Sequence, residues 1–434
     1  MAAPSLEVPP AADRSPSPDL SPRRPGARLP ILIAGGGIGG LTAALSLARA
    51  GHPVSVFEQA AGFGEIGAGI QLSPNCTRVL HDLGLESALR RIAFLPEGTE
   101  IRHWRNGRLI TTNPLGQQAL DQYGFPYYHV HRADLMGVLV AAARAHPDIT
   151  LHSGARIGAI EQDESRVVIE AGGIRHEGGL LIGADGIHSV VRSHLFGAEA
   201  PRFTGNIAWR ALVPAGRLPA GLIRPVATAW WGPGRHFVHY YVRAGELVNC
   251  VCVVEKPGWQ NESWTERGDH AELTRDFAGW HPDLQTLIGA MDPQECFKWA
   301  LFDRPPLPCW SVGRITLLGD ACHPTLPFMA QGAAMAIEDA AVLTRCLAEG
   351  DALAPAGALA AALAAYESLR RPRTSRIQAG SRRNAMIFHL SGIKAWVRNW
   401  RAARMRGSML DWVYRYDPLR AAARARTDER TPSP

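Results

Sequence analysis

No Cys-x-x-Cys pair occurs in this 434-residue chain, and its seven cysteines form an odd set. That excludes the disulfide framework of a small secreted protein. Cys250 and Cys252 share a strand face, but no histidine cluster completes a metal site beside them, so no metal is expected. Buried thiols in a reducing cytoplasm are the simplest reading. No run of 18 apolar residues exists, so no transmembrane helix is expected. Zinc-finger spacing and RNA-binding aromatic motifs are missing too, which leaves nothing pointing to nucleic acid. What remains is 46% hydrophobic and 20% charged, the balance of a globular protein. The length exceeds one ordinary core and implies interlocked domains.

The net charge of +6 is unevenly placed. From Arg370 onward there are 16 Lys and Arg against four Asp and Glu, so the preceding body is acidic by about 6 charges. Ile393, Trp396, Val397 and Trp400 follow helical spacing, with Arg398, Arg401 and Arg404 on other faces. Such a helix suits peripheral lipid contact. The plainer reading, which we favour, is a docked helix with a solvated basic face, at a homodimer contact for instance. Residues 1–28 are rich in proline, alanine, serine and arginine and read as a disordered tail. Arg23-Arg24 imitates a twin-arginine export signal. The apolar stretch behind it, however, reads as a strand and helix of the fold, and cleavage would destroy them.

That stretch carries the strongest local signal. Leu29 to Ala34 is a short buried strand. It runs into Gly35-Gly36-Gly37-Ile38-Gly39-Gly40, a helix to Ala50, and a second strand, Val54 to Phe57, ending at Glu58 and Gln59. Gly35 permits the tight turn, Gly37 lets backbone approach a pyrophosphate, and Gly40 lets helix and strand pack closely. The helix N-terminus offers free N–H groups to phosphate. Glu58, 18 positions after Gly40, is placed to accept ribose hydroxyls.

Two further segments follow. Gly183-Ala184-Asp185-Gly186 precedes Ser189 and Arg192, and Gly319-Asp320-Ala321-Cys322-His323-Pro324 runs into Gln331-Gly332. A nicotinamide dehydrogenase needs only the first segment, whereas all three in this order point to retained FAD. Only one G-x-G-x-x-G, Gly35 to Gly40, lies directly between a strand and a helix, so NADH or NADPH is expected to bind transiently.

Between the segments the texture alternates. Phe125 to Val130, Ile149 to Leu151, Ala155 to Gln162, Val167 to Ala171 and Leu180 to Ile182 read as strands. Arg132 to Ala145 and Ala333 to Leu347 read as helices, and Ser73 as the cap of a helix through Leu83. From Pro201 to Trp310, strands such as Phe237 to Val242 and Leu247 to Val254 suggest an antiparallel sheet. The expected fold is α/β with α+β character: a discontinuous Rossmann-like FAD domain on a parallel sheet, an inserted antiparallel substrate domain and a helical C-terminal part. The divisions are 29–95, 126–200 and 306–375 for the FAD domain, 96–125 and 201–305 for the substrate domain, and 376–434 for the basic C-terminal part.

In this order the motifs resemble those of the single-component FAD-dependent aromatic hydroxylases, over roughly residues 29 to 375. Gly319 to Pro324, Met329 to Ala340, and Gly232-Pro233-Gly234-Arg235-His236-Phe237 with Tyr240-Tyr241 are similar to the 3-hydroxybenzoate 6-hydroxylases, 6-hydroxynicotinate 3-monooxygenases and salicylate hydroxylases. The resemblance implies that Asp320 receives the ribityl chain and that Asp185 serves FAD and the passing nicotinamide. It implies that Arg132 and Gln71 contact the flavin, and that Gly332 and Ala333 open a helix toward the flavin pyrimidine edge, where reduced flavin carries negative charge.

It also implies the reaction. NAD(P)H reduces the flavin, O2 adds to give a C4a-hydroperoxide, and its terminal oxygen attacks carbon ortho or para to a phenolic oxygen while water is excluded. A base that draws off the phenolic proton raises ring electron density. His236 is the candidate, with Tyr240 four residues on and therefore on the same strand face. Gln71 and Phe328 stand where the nicotinate enzymes have histidine, and Pro327 where 3-hydroxybenzoate 6-hydroxylase has glutamine, so the substrate is expected to differ from either reference compound. Phe328 implies an apolar wall. Arg210 and Arg235 are candidates for a substrate carboxylate, with exposed structural arginine the preferred reading of each. The alternatives are a flavin epoxidase or quinone-pathway hydroxylase of a larger apolar substrate, and a non-catalytic flavin redox sensor. A halogenase is disfavoured because no W-x-W-x-I-P stretch occurs.

Overall fold

The computed structural model describes residues 28–64, 68–259, 266–348, 356–404 and 407–421. The expected N-terminal tail and Arg23-Arg24 lie outside them.

Short runs of three or four mostly apolar residues make the central strands. Ile31–Ala34, Val54–Phe57, Ile149–His152, Leu180–Gly183 and Ile315–Leu317 lie parallel, and Ser311–Val312 adds an antiparallel edge. Ile31–Ala34 sits at the centre between Leu180–Gly183 and Val54–Phe57, so the glycine segments at Gly35 and Gly183 leave the sheet side by side. All four residues of each of these two strands are buried, as expected for a sheet covered on both faces. The helices Ile38–Arg49 and Gly332–Leu347 cross in close contact, because a side chain at Gly39 would strike Leu318 and Ala336.

The second layer is a seven-stranded sheet in the order Phe297–Asp303, Arg202–Pro214, Leu247–Glu255, Arg235–Val242, Val226–Gly232, Gly98–His103, Leu109–Pro114. Only the Val226–Gly232 and Gly98–His103 pair is parallel. The two strands from 96–125 therefore extend the same sheet as the strands from 201–305. A two-stranded ribbon, Gly69–Leu72 with Tyr128–His131, sits beside this layer, and a three-stranded sheet covers 157–178.

Several boundaries moved. The strand expected from Phe125 begins at Tyr128, since Pro126 has no N–H for a ladder. The strand expected from Ala155 starts at Ile157 and is irregular between Ile157 and Ile160. Ser73 does precede the helix Pro74–Asp82, but its side chain does not cap it: Ser73 Oγ donates to Asn75 Oδ1 at 2.6 Å. The helix Ala356–Phe388 runs unbroken through the division at 375/376.

The basic helix, Gly392–Ala402, is turned the other way from expectation. Arg398, Asn399 and Ala402 are its buried residues, while Ile393 is 82% and Trp396 64% exposed. Arg398 donates to the carbonyls of Ile387 and Phe388, and its guanidinium lies 4.7 Å from the Trp231 ring centre. The planar cation stacks on indole and satisfies the last carbonyls of the helix Ala356–Phe388, which outweighs the apolar pattern.

Candidate active site

One cavity of about 600 Å³ lies between the parallel sheet and the antiparallel wall. Gly35, at φ +97°, begins it; a Cβ there would run into the Ala184 carbonyl. Gly37 precedes the helix Ile38–Arg49, whose N-terminus faces the cavity. Gly40 does not line it. A Cβ at Gly40 would run into the Gly35 carbonyl, so this glycine permits helix and strand to pack. Glu58 takes Gly36 N–H on Oε2 at 2.9 Å and Ala60 N–H on Oε1 at 2.8 Å, which fixes the carboxylate at the cavity edge beside Gln59.

Asp185 accepts N–H bonds from Val190 (2.8 Å) and Val191 (3.2 Å) on Oδ2. Its Oδ1 is buried with no hydrogen-bond partner among the described residues, and burial raises its pKa above the usual value. An acceptor left open at a cavity wall fits a ligand hydroxyl or N–H. Ser189 and Arg192 turn out to be structural: Ser189 caps the helix Val190–Phe196, and Arg192 pairs with Glu199.

Asp320 lies on the turn Gly319–Ala321 and lines the cavity, with Arg132 across from it. Burial raises its pKa, opposed by the nearby His323 and Arg132. Gly332 and Ala333 begin the 16-residue helix Gly332–Leu347 and both line the cavity. This is a second helix N-terminus aimed at the same space. Gln71 lines it too, accepting Tyr127 Oη at 2.7 Å.

Behind these groups is a buried charge cluster that the sequence did not reveal as such. Asp339 accepts Gly319 N–H at 3.0 Å, His323 Nε2 at 2.5 Å and Arg370 Nε at 2.7 Å. Glu338 pairs with Arg370 and Arg373, each at 2.7 Å, and accepts Asn75 Nδ2 at 2.6 Å. The long helix also grips the loop 324–328 by carbonyls: Gln378 binds Pro324, Ser381 binds Leu326 and Asn384 binds Phe328.

The far end of the cavity is apolar, walled by Val238, Val251, Val253, Trp299, Leu301 and Leu326. His236 and Tyr240 both line it, on one face of Arg235–Val242. His236 is buried, and desolvation holds its pKa well below the usual histidine value. Its Nδ1 lies 2.8 Å from His389 Nε2. Burial pushes the Tyr240 phenol up. Phe328 is not part of the wall; it packs edge-on behind His236, ring centres 5.2 Å apart. Arg210, expected at the surface, lines the cavity with its guanidinium 4.4 Å from the Trp299 ring centre, and burial lowers its pKa to about 10. Arg235 donates instead to the Asp276 carbonyl.

Two helix N-termini, three carboxylates and an apolar chamber around one cavity match an extended dinucleotide whose reactive ring reaches the apolar part. A fold and site of this kind define a flavin-dependent oxidoreductase.

Comparison with known proteins gives the family. Residues 28–381 match the family described as FAD binding domain. The chain is 42% identical over 360 residues to 3-amino-4-hydroxybenzoate 2-monooxygenase of Streptomyces platensis, covering 83% of this chain and 88% of that one. It is 40% identical over 363 residues to 6-hydroxynicotinate 3-monooxygenase of Pseudomonas fluorescens, covering 82% and 91%. Klebsiella pneumoniae HpxO, crystallised with FAD and uric acid, superimposes with a TM-score of 0.77 at 28% identity over 90% of this chain and 97% of that one. The chain belongs to this family of FAD-dependent monooxygenases, and FAD is its cofactor.

Proposed function

We propose that the chain hydroxylates a phenolic ring carrying a carboxylate, a hydroxybenzoate-type substrate, at the expense of NADH or NADPH and O2. The carrying observation is the apolar chamber that holds one buried histidine and one arginine, His236 and Arg210. Bound FAD supplies the oxygen-activating chemistry. Gly35 and Gly37 admit its pyrophosphate. Glu58, Asp185 and Asp320 accept its hydroxyls and N–H groups, and Gln59, Gln71 and Arg132 flank it. The Gly332–Ala333 helix end favours negative charge on its ring. His236 takes the phenolic proton, Tyr240 orients the phenol, Arg210 pairs the carboxylate, and the valine and leucine walls exclude water.

The test is a screen of hydroxybenzoates, aminohydroxybenzoates, salicylate and hydroxypyridines for stimulated NADH and NADPH oxidation, with product identification. If no phenolic acid stimulates oxidation, the reading fails. An epoxidase of large apolar substrates is less well supported, because the same 600 Å³ must also take the flavin ring. A purely sensing role is disfavoured by relatives named as monooxygenases.

We also propose a cytoplasmic protein, on its free, mostly buried cysteines. The outward Ile393, Trp396 and Trp400 are flanked by exposed Lys394, Arg401 and Arg404. That basic rim favours an anionic lipid surface over a second, equally basic copy. Trp396→Ala/Trp400→Ala should abolish sedimentation with anionic vesicles. If the native protein does not sediment and runs as a dimer, the homodimer contact is the correct occupant.

A further inference from the structure

His236 does not stand alone. Its Nδ1 is 2.8 Å from His389 Nε2, and His389 Nδ1 is 2.8 Å from Glu255 Oε1. His236 is 3% exposed and lines the cavity, His389 is 7% exposed, and the Glu255 side chain is 53% exposed. Three titratable groups from three separate parts of the chain thus form one unbroken line from the chamber to bulk water.

Backbone holds the line together. Gly234 donates its N–H to the His389 carbonyl at 3.0 Å, and Glu255 donates its N–H to the Gly234 carbonyl at 3.0 Å. Gly234 sits at φ +65°, which explains the Gly-Pro-Gly lead-in: the turn before His236 also anchors the other two members. Phe328 and Phe388 close around the His236 ring at 5.2 and 5.3 Å and keep water from replacing His389 as its partner.

We propose that His236, His389 and Glu255 form a proton relay that carries the substrate's phenolic proton out of the closed chamber. This rests on the reading of His236 as the base. The phenol O–H gives its proton to His236 Nε2. The N–H at His236 Nδ1 passes to His389 Nε2, the N–H at His389 Nδ1 passes to Glu255, and the resulting acid releases it to water. One proton leaves, the phenolate keeps the electron pair, and no electron changes owner. Burial first, and then the nearby Arg398 and Arg235, disfavour a lasting imidazolium at His389, while Glu255 favours one. The balance suits a carrier that does not trap the proton.

The relay is needed because the base is buried. A histidine in contact with solvent would exchange its proton directly, whereas His236 is sealed by aromatic rings and by the substrate itself. His389 is therefore a positioning and relay residue, not a group that touches the substrate.

The test uses the FAD-loaded enzyme and whichever hydroxybenzoate stimulates NAD(P)H oxidation most in the screen above. Stopped-flow mixing follows phenolate formation in the ultraviolet and proton release with a pH dye. Glu255→Gln, at the surface, and His389→Ala should each slow both signals tenfold or more (on the order of general-base effects) and shift their pH profile. Flavin absorbance should be unchanged, and added imidazole should restore His389→Ala. If both variants ionise the bound phenol at the native rate and pH dependence while His236→Ala does not ionise it, the relay is wrong and the base stands. If His236→Ala also ionises it normally, the reading of His236 as base is what fails.

Discussion

Asp339 takes the backbone N–H of Gly319 at 3.0 Å, and this single bond ties the helix beginning at Gly332 to the turn that presents Asp320. The same carboxylate holds Arg370 at 2.7 Å, so the long helix Ala356–Phe388 braces the turn from behind. The turn at Gly319 and the helix that opens at Gly332 become one braced surface because a buried acid two turns into that helix joins them.

Arg370→Met therefore removes the cation between two buried carboxylates. Breaking such a pair by removing one partner costs about 3–5 kcal/mol. A lower melting temperature and weaker FAD retention are expected, read by thermal unfolding and by flavin released on gel filtration. Full retention of both would show that the cluster does not brace the site.

Acid should expose the same cluster. His323 and Arg370 hold Asp339 down to about 2, against about 3.9 for an unfolded aspartate. The folded pKa is depressed, so this stability is complete above about pH 4 and is lost as pH falls toward 2. Denaturant titrations between pH 5 and 2 should show native protein losing stability over that window, with the loss largely absent in Asp339→Asn.

Gly35→Ala puts a methyl against the Ala184 carbonyl at a positive φ. The purified variant should fold but come out with little or no yellow colour, and added FAD should bind weakly. A variant as yellow as the native protein would remove the glycine turn from the cofactor site.

His236→Ala should keep its flavin and lose hydroxylation by roughly 10²-fold or divert turnover to hydrogen peroxide. Because burial lowers the pKa of His236, the native base stays neutral and competent through the neutral range and fails only on acidification below its depressed pKa. Fully coupled turnover in the variant would exclude His236.

That the residues expected at the cofactor gather at one cavity was legible because they lie in local patterns. A strand, glycine turn and helix are contiguous, and Gly35, Gly37, Glu58, Asp185, Asp320 and Gly332 all meet at one cavity. The substrate side was only half legible. His236 and Tyr240 share a face by the two-residue period of a strand. His389 and Glu255, at 153 and 19 positions from His236, come together only through tertiary packing, and no spacing rule marks them. Arg398 was misread because helical periodicity ranks side chains by polarity. It does not register an arginine that stacks on Trp231 and takes two carbonyls. Arg210 was misread for the same reason: alone in the sequence it resembles a surface cation.

The helix Ala356–Phe388 is 33 residues, about 50 Å of rod at 1.5 Å per residue. Arg370 sits behind the turn that presents Asp320, and His389 follows the helix's last residue. A chimera joined at residue 376, where the sequence suggests a seam, would splice that rod in its middle and import a stranger's proton carrier along with the basic tail. Grafting experiments that aim to exchange only the tail should place the junction beyond Ser391.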